Sequence, residues 1–213
     1  MPNMENKSII GLPLAHGWSQ VVSNHQQTLT CSLAIAGRQA KNLGRDIRDK
    51  LTDSSLKTPV EFHHLLLDVI RKIRQADHTI QLAALFKQDD QLVLATYQGS
   101  IWLKRFSSSS NQRFKLGPLL SSKGQLKMLT GQQQPRDQLF LVTKELEQKI
   151  DLKPFFTQKS YQPSDFNQFK QEIHSLPDCS QCALALVTSV ETEAKKTKQP
   201  KKKTRKKIYP LKK

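Results

Sequence analysis

The sequence predicts one α/β (α+β) domain, an antiparallel β-sheet or sandwich flanked by helices, followed by a disordered, lysine-rich tail. Three observations carry this expectation. Helical and strand periodicities are segregated along the chain instead of alternating, which argues against a parallel sheet built from βαβ units. The strand-like stretches follow one another as a meander joined by short turns. The charge is also localised. The 213 residues include 34 Lys or Arg and 18 Asp or Glu, a formal net charge of +16, yet eleven of the basic residues and no acidic one lie between Lys195 and Lys213.

Taken in order, residues 1–27 form an N-terminal segment of mixed character with no clear period: a polar start, then Ile9-Ile10-Gly11-Leu12-Pro13-Leu14, then a stretch rich in Ser, His and Gln. Thr28 to Ala36 (TLTCSLAIA) reads as a buried strand ended by Gly37. Ala40, Leu43, Ile47 and Leu51 recur at helical spacing and predict a helix over 38–51. After a loop at 52–58, Pro59 suits the first turn of a second helix. Phe62, Leu65, Leu66, Val69, Ile70 and Ile73 give that helix its apolar stripe, to about Ala76. The period then changes. Thr79 to Phe86 and Gln91 to Tyr97 are strands about a turn at 87–90, Gly99 breaks the run, and Ile101 to Phe106 alternates as a third. Shorter strands are predicted at 113–116 and 125–129, and a buried strand at Asp137–Thr143. A short helix follows at Lys144–Ile150, then another capped by Ser164, and a last strand at Cys182–Val190.

Composition narrows the function classes. Removing the eleven basic residues of the tail from the 34 leaves 23 against 18 acidic ones, so the body carries only about +5, an ordinary surface charge. No apolar run approaches the roughly 18–20 residues that cross a bilayer, and Met1 to Lys7 lacks the order of a signal peptide. Three cysteines, Cys31, Cys179 and Cys182, make no disulfide framework and fit a reducing, cytoplasmic setting.

The local constellations point away from common chemistries. Cys179-Ser180-Gln181-Cys182 has metal-ligand spacing but no second ligand pair, and it precedes a strand rather than opening a helix, so it reads as structural. His63 and His64 are adjacent and face different ways. Asp89-Asp90 reads as a hairpin turn, and Asp46 and Asp49 as part of a solvated helix face. No glycine-rich phosphate loop or nucleophile elbow is present. The tail is the strongest signal: Lys201 to Lys207 holds six charges in seven residues. Lys195, Lys196, Lys198, Lys201, Lys202, Lys203, Arg205, Lys206, Lys207, Lys212 and Lys213 form a polyanion-binding set suited to an anionic membrane surface or to nucleic-acid phosphates. Only Tyr209 interleaves with them, which disfavours base stacking.

One segment resembles a known family. Leu82 to Arg105 (LAALFKQDDQLVLATYQGSIWLKR) is similar to the central hairpin of PPM-type (type 2C) metal-dependent Ser/Thr protein phosphatases, through Ala95, Gly99, Ser100, Leu103 and Arg105. The helix pair, the stretch Gly131–Ile150 and the final strand from Ser180 follow in the family's order. The resemblance implies a PPM-phosphatase-like sandwich over 28–191, with the tail at 192–213, and a family chemistry in which aspartates hold two Mg²⁺ or Mn²⁺ ions. The expected positions depart from that pattern. Ala34-Ile35-Ala36-Gly37-Arg38 has no carboxylate, Thr143-Lys144-Glu145 stands where Ser-Asp-Gly is expected, and Ser180-Gln181 stands at the last acidic pair, with Asp178 two residues out of register. The resemblance therefore implies a pseudophosphatase with no cofactor, acting as a binding or regulatory module for a protein partner and able to sit against a membrane through its tail. Mg²⁺ or Mn²⁺ enters only if displaced carboxylates such as Asp89, Asp90, Asp137 or Asp178 form a site. The alternative is a nucleic-acid-associated protein that uses the tail for non-specific phosphate binding.

Overall fold

The computed structural model describes residues 4–89, 91–106, 114–134, 136–158 and 161–189. Along them run β1 (Met4–Ile10), β2 (Gly17–Ser23), β3 (Leu29–Ala36), α1 (Ala40–Thr52), α2 (Pro59–Gln75), β4 (Thr79–Gln88), β5 (Gln91–Tyr97) and β6 (Gly99–Phe106). There follow β7 (Phe114–Ser121), β8 (Lys127–Gln132), β9 (Gln138–Thr143), α3 (Lys144–Lys149), α4 (Lys153–Phe156), α5 (Pro163–His174) and β10 (Ala183–Ser189). The strands pair into two five-stranded sheets, β1-β10-β9-β6-β7 and β2-β3-β4-β5-β8. Every pairing is antiparallel.

Alternation along the strands sorts their side chains into three apolar layers. In β4, Ile80, Leu82, Ala84 and Phe86 face α1 and α2, sharing a cluster with Ile47, Leu51, Phe62 and Leu66. Ala83 and Leu85 turn the other way, to meet Leu139, Leu141, Ala185 and Val187 of the opposite sheet. Phe140, Val142, Leu184 and Leu186 face outward under α3–α5 and pack with Phe155, Phe156, Phe169 and Ile173. Both faces of each sheet are covered, so the central strands read as unbroken apolar runs although they are antiparallel. The result is a helix–sheet–sheet–helix sandwich.

The helix pair begins and ends close to where periodicity places it. Thr58 caps α2 by accepting the Glu61 N–H at 3.2 Å, while the Glu61 carboxylate accepts the Lys57 N–H at 2.7 Å. In α1, Gly44 takes a buried position beside Leu43. A Cβ there would stand 2.4 Å from Cε3 of Trp18, so the missing side chain lets the helix lie directly on β2.

Several expectations are corrected. The segment to which no period was assigned contains two edge strands, β1 against β10 and β2 against β3. Each lies last in its sheet, where pairing on one side only relaxes the demand for an apolar pattern. The strands expected at 113–116 and 125–129 lie at Phe114–Ser121 and Lys127–Gln132. Pro118 falls at a β-bulge of an edge strand, where the register passes from Leu120 to Pro118 between Ile101 and Trp102. Ser164 does not cap α5. Pro163 opens that helix, and Asp165 accepts the Gln162 N–H at 2.7 Å, so Ser164 lies inside the first turn. The single turn α4 was not anticipated. The tail from Lys195 to Lys213, together with Asp90, lies outside the described residues. Among the described residues no helix is long and apolar enough to cross a membrane.

Candidate functional site

One end of the sandwich gathers the three stretches that sequence singled out: the β3–α1 junction at 36–38, the β9–α3 junction at 143–145, and the turn 178–182 before β10. Gln81, in the first turn-proximal residues of β4, ties them together. It is a polar residue in an apolar strand and is only 7% exposed. Its Oε1 accepts the Glu145 backbone N–H at 2.8 Å, and its Nε2 donates to Oε1 of Gln181 at 3.2 Å. Three further bonds close the same end. The buried Thr143 hydroxyl donates to the Gln181 carbonyl at 2.9 Å and accepts the Ala183 N–H at 3.0 Å. Ser19 donates to the Cys182 carbonyl at 2.9 Å. Gln81 and Ser19 lie in one sheet, and their partners lie in α3 after β9 and in the turn before β10 of the other, so these bonds clasp the two sheets together.

The charged groups around the clasp are already engaged. Lys149 pairs with Glu145 at 2.8 Å and also donates to the Asp178 carbonyl. The Glu145 hydrogen bond holds the Lys149 ammonium above the usual lysine range, against a smaller opposing effect of burial. Asp178 accepts the Ser180 N–H at 3.0 Å and the Ser180 hydroxyl at 2.8 Å, and the backbone bond leads in drawing its carboxyl below the usual range. Lys144, at the position where the resemblance expects an aspartate, forms no ion pair among the described residues. At the third junction Gly37 adopts φ +144°, and a Cβ there would stand 2.4 Å from the His78 ring. That ring sits between two main-chain oxygens, Nδ1 2.5 Å from that of Ala76 and Nε2 2.6 Å from that of Arg38.

The other candidate carboxylates lie elsewhere. Asp137 precedes β9 at the far end of that strand, 2% exposed. It is held by Arg105 through Nε (3.0 Å) and a second guanidinium nitrogen (2.7 Å), and it also accepts the Gln134 N–H. Asp89 sits in the β4–β5 turn with φ +52°, also at the far end. Of the displaced carboxylates considered, only Asp178 reaches the site end. Cys179 and Cys182 are buried free thiols: the Sγ of Cys179 accepts the Leu12 N–H, and burial pushes the Cys182 thiol up to about 12. No group of three or more His, Cys, Asp or Glu is placed to hold a metal ion among the described residues. Sequence reasoning passed over Gln81, Ser19 and Lys149, and met Gln181 only as a residue standing where an acidic one was expected. A signal existed for the first, a lone glutamine inside Thr79–Phe86 (TIQLAALF).

No protein-family model and no curated protein sequence matches this chain. Solved structures do. The serine/threonine phosphatase of S. agalactiae superposes with a TM-score of 0.57 at 12% identity, over 89% of this chain and 100% of that one. The fold is that of the serine/threonine phosphatases. PppA, described as a key regulatory component of T6SS in Pseudomonas aeruginosa, gives 0.65 at 12% identity over 89% and 97% of the two chains. The Mycobacterium tuberculosis phosphatase PstP/Ppp gives 0.60 at 11% identity over 89% and 98%. On this phosphatase fold, the bulge at Ile101/Trp102 and the crossing from β5 to β6 accompany the hairpin that carries the resemblance. The chain changes sheets at Gln98, with φ +50°, and Gly99, where a Cβ would meet the Leu82 carbonyl at 2.7 Å.

Proposed function

We propose that this chain is a phosphatase-fold domain that does not carry out two-metal hydrolysis and serves as a binding or regulatory module for a protein partner. The observation that supports this most is the donor set at the clasped end of the sandwich. Hard divalent cations need several oxygen ligands, with carboxylates supplying most of the affinity. Here the central groups are two glutamine amides bonded to each other and to the backbone. Glu145 is neutralised by Lys149, and Asp178 is turned toward Ser180. Lys144 puts a positive charge at the position where the resemblance expects a metal-binding aspartate. These residues do not suit a pair of Mg²⁺ or Mn²⁺ ions. The basic residues from Lys195 to Lys213 give the module a second contact, with an anionic membrane surface or another polyanion in the cytoplasm.

The test is hydrolysis of a generic aryl phosphate by the purified full-length chain, with and without millimolar Mn²⁺, beside an active phosphatase of the same fold. The expected result is no turnover above the blank and no rise in Tm on adding Mn²⁺. Mn²⁺-dependent turnover that follows the protein through repurification would overturn the reading.

A further inference from the structure

Between α4 and α5, in the helical layer, lies a cavity of about 180 Å³ whose lining includes Asp151, Phe155, Gln158, Asp165, Phe169 and Glu172. No Lys or Arg lines it, in a chain where basic residues outnumber acidic ones 34 to 18. Its carboxylates, and the oxygen of Gln158, are acceptors with capacity to spare. One Asp151 oxygen accepts the Lys153 N–H at 3.1 Å and one Asp165 oxygen accepts the Gln162 N–H at 2.7 Å, which leaves the second oxygen of each. The Glu172 carboxylate has no hydrogen-bond or ionic partner among the described residues. Gln158 Oε1 is shielded from solvent and accepts no hydrogen bond. The apolar part of the lining is the pair Phe155–Phe169, stacked with centroids 4.3 Å apart. A group that satisfies these acceptors offers donors, carries positive charge, and brings an apolar stem to lie on the rings. A lysine side chain meets all three conditions.

We propose that this cavity holds a lysine side chain from the chain's own residues 195–213. Charge complementarity is one reason, and the point where the described chain ends is the other. β10 ends at Ser189, opposite Met4 of β1. Three residues along β1, Lys7 donates to the Tyr161 carbonyl at 3.3 Å and lies 5.4 Å from the Phe166 ring, beside Asp165 of the cavity. The chain thus leaves its last strand next to the element that carries α5. A stretch of twelve residues, from Ser189 to Lys201, spans up to roughly 40 Å when extended, enough to cross the domain. Tethering holds these lysines at an effective concentration on the order of millimolar, so a contact too weak to act between separate molecules is populated within one. Several lysines can serve in turn. A polyanion that binds the tail draws on the same lysines, so its binding and occupancy of the cavity exclude one another. The inference does not depend on whether the domain catalyses, because no residue of the clasp lines the cavity.

The experiment is zero-length carbodiimide coupling in the full-length chain at low concentration, mapped by mass spectrometry on a mixture of ¹⁵N-labelled and unlabelled protein. Expected are amide links from lysines of 195–213 to Asp151, Asp165 or Glu172, within single chains. They should be at least fivefold more abundant than links to the exposed Asp46 and Asp49. Glu172→Gln should lower the links to Asp151 and Asp165 several-fold and speed tryptic cleavage of the tail, whereas Asp46→Asn should leave both unchanged. A polyanion added first should abolish the links. Tail links spread evenly over surface carboxylates, links joining labelled to unlabelled chains, or an unchanged pattern in Glu172→Gln would each overturn the proposal.

Discussion

Gln81 shows what one polar side chain does inside an apolar strand. Its amide supplies an acceptor to Glu145 and a donor to Gln181, and a leucine in its place would leave a buried N–H and a glutamine oxygen without partners. Gln81→Leu is expected to lower unfolding stability by about 1–3 kcal/mol, read by urea denaturation, despite the gain in apolarity. Lys104 is the opposite case, a charge buried by long-range packing. It lies fully buried on the outward face of β6, its Nζ donating to the Gln158 carbonyl and lying 5.0 Å from the Tyr161 ring. Burial lowers its pKa from the ordinary 10.5 to about 8. The folded state therefore releases a proton that the unfolded chain keeps, and stability rises with pH across the window from about 8 to 10.5. Below that window the full cost, on the order of 3 kcal/mol, opposes folding. Lys104→Met should be the more stable protein at pH 7 and should lose this part of the slope, checked by denaturation at a series of pH values. A lone glutamine among apolar residues is visible in a sequence. The burial of Lys104 is not, because alternation in Ile101–Phe106 says only that it shares a face with Trp102, and that face meets Phe156, Gln158 and Tyr161.

The elements that were legible are those with a long period. The helices of 38–51 and 59–76 were expected and lie at Ala40–Thr52 and Pro59–Gln75, because four or more turns repeat their stripe. α4 has one turn and no period to read, and β7 hides its continuation behind Gly117 and Pro118. Contact between elements is less legible still. Glycine is a poor helix former, yet Gly44 is what lets α1 rest on Trp18. Gly44→Ala should cost about 1–3 kcal/mol of overpacking, outweighing a helix-propensity gain of about 1 kcal/mol. A lower urea midpoint with altered tryptophan fluorescence is the expected readout, and an unchanged or higher midpoint would count against this packing argument.

At the scale of the molecule, the segregated helices and strands already indicated a sandwich flanked by helices. The outline Ala95, Gly99, Ser100, Leu103, Arg105 further indicated the phosphatase fold that the solved structures share. The clasped end was only half legible. The resemblance implied which carboxylates to look for, but not that Gln81 and Gln181 meet there, since they are a hundred residues apart, one in β4 and the other in the turn before β10. The tail makes a whole-chain prediction. Binding to a phosphate-bearing polyanion should weaken linearly in log affinity against log salt, and neutralising Lys201, Lys202 and Lys203 to Gln should reduce the slope by about 2–3. A slope unchanged by those substitutions would remove the tail from the contact. The two sheets also end differently. β7 closes one with a bulge and with Pro118, which has no N–H to offer a newcomer. β8 closes the other with six mostly exposed residues and no proline, and no strand among the described residues claims its outer edge. Concentrated solutions of this protein should therefore begin to aggregate through that edge, and a single proline introduced at an outward-facing N–H of β8 is the substitution that would lengthen its shelf life.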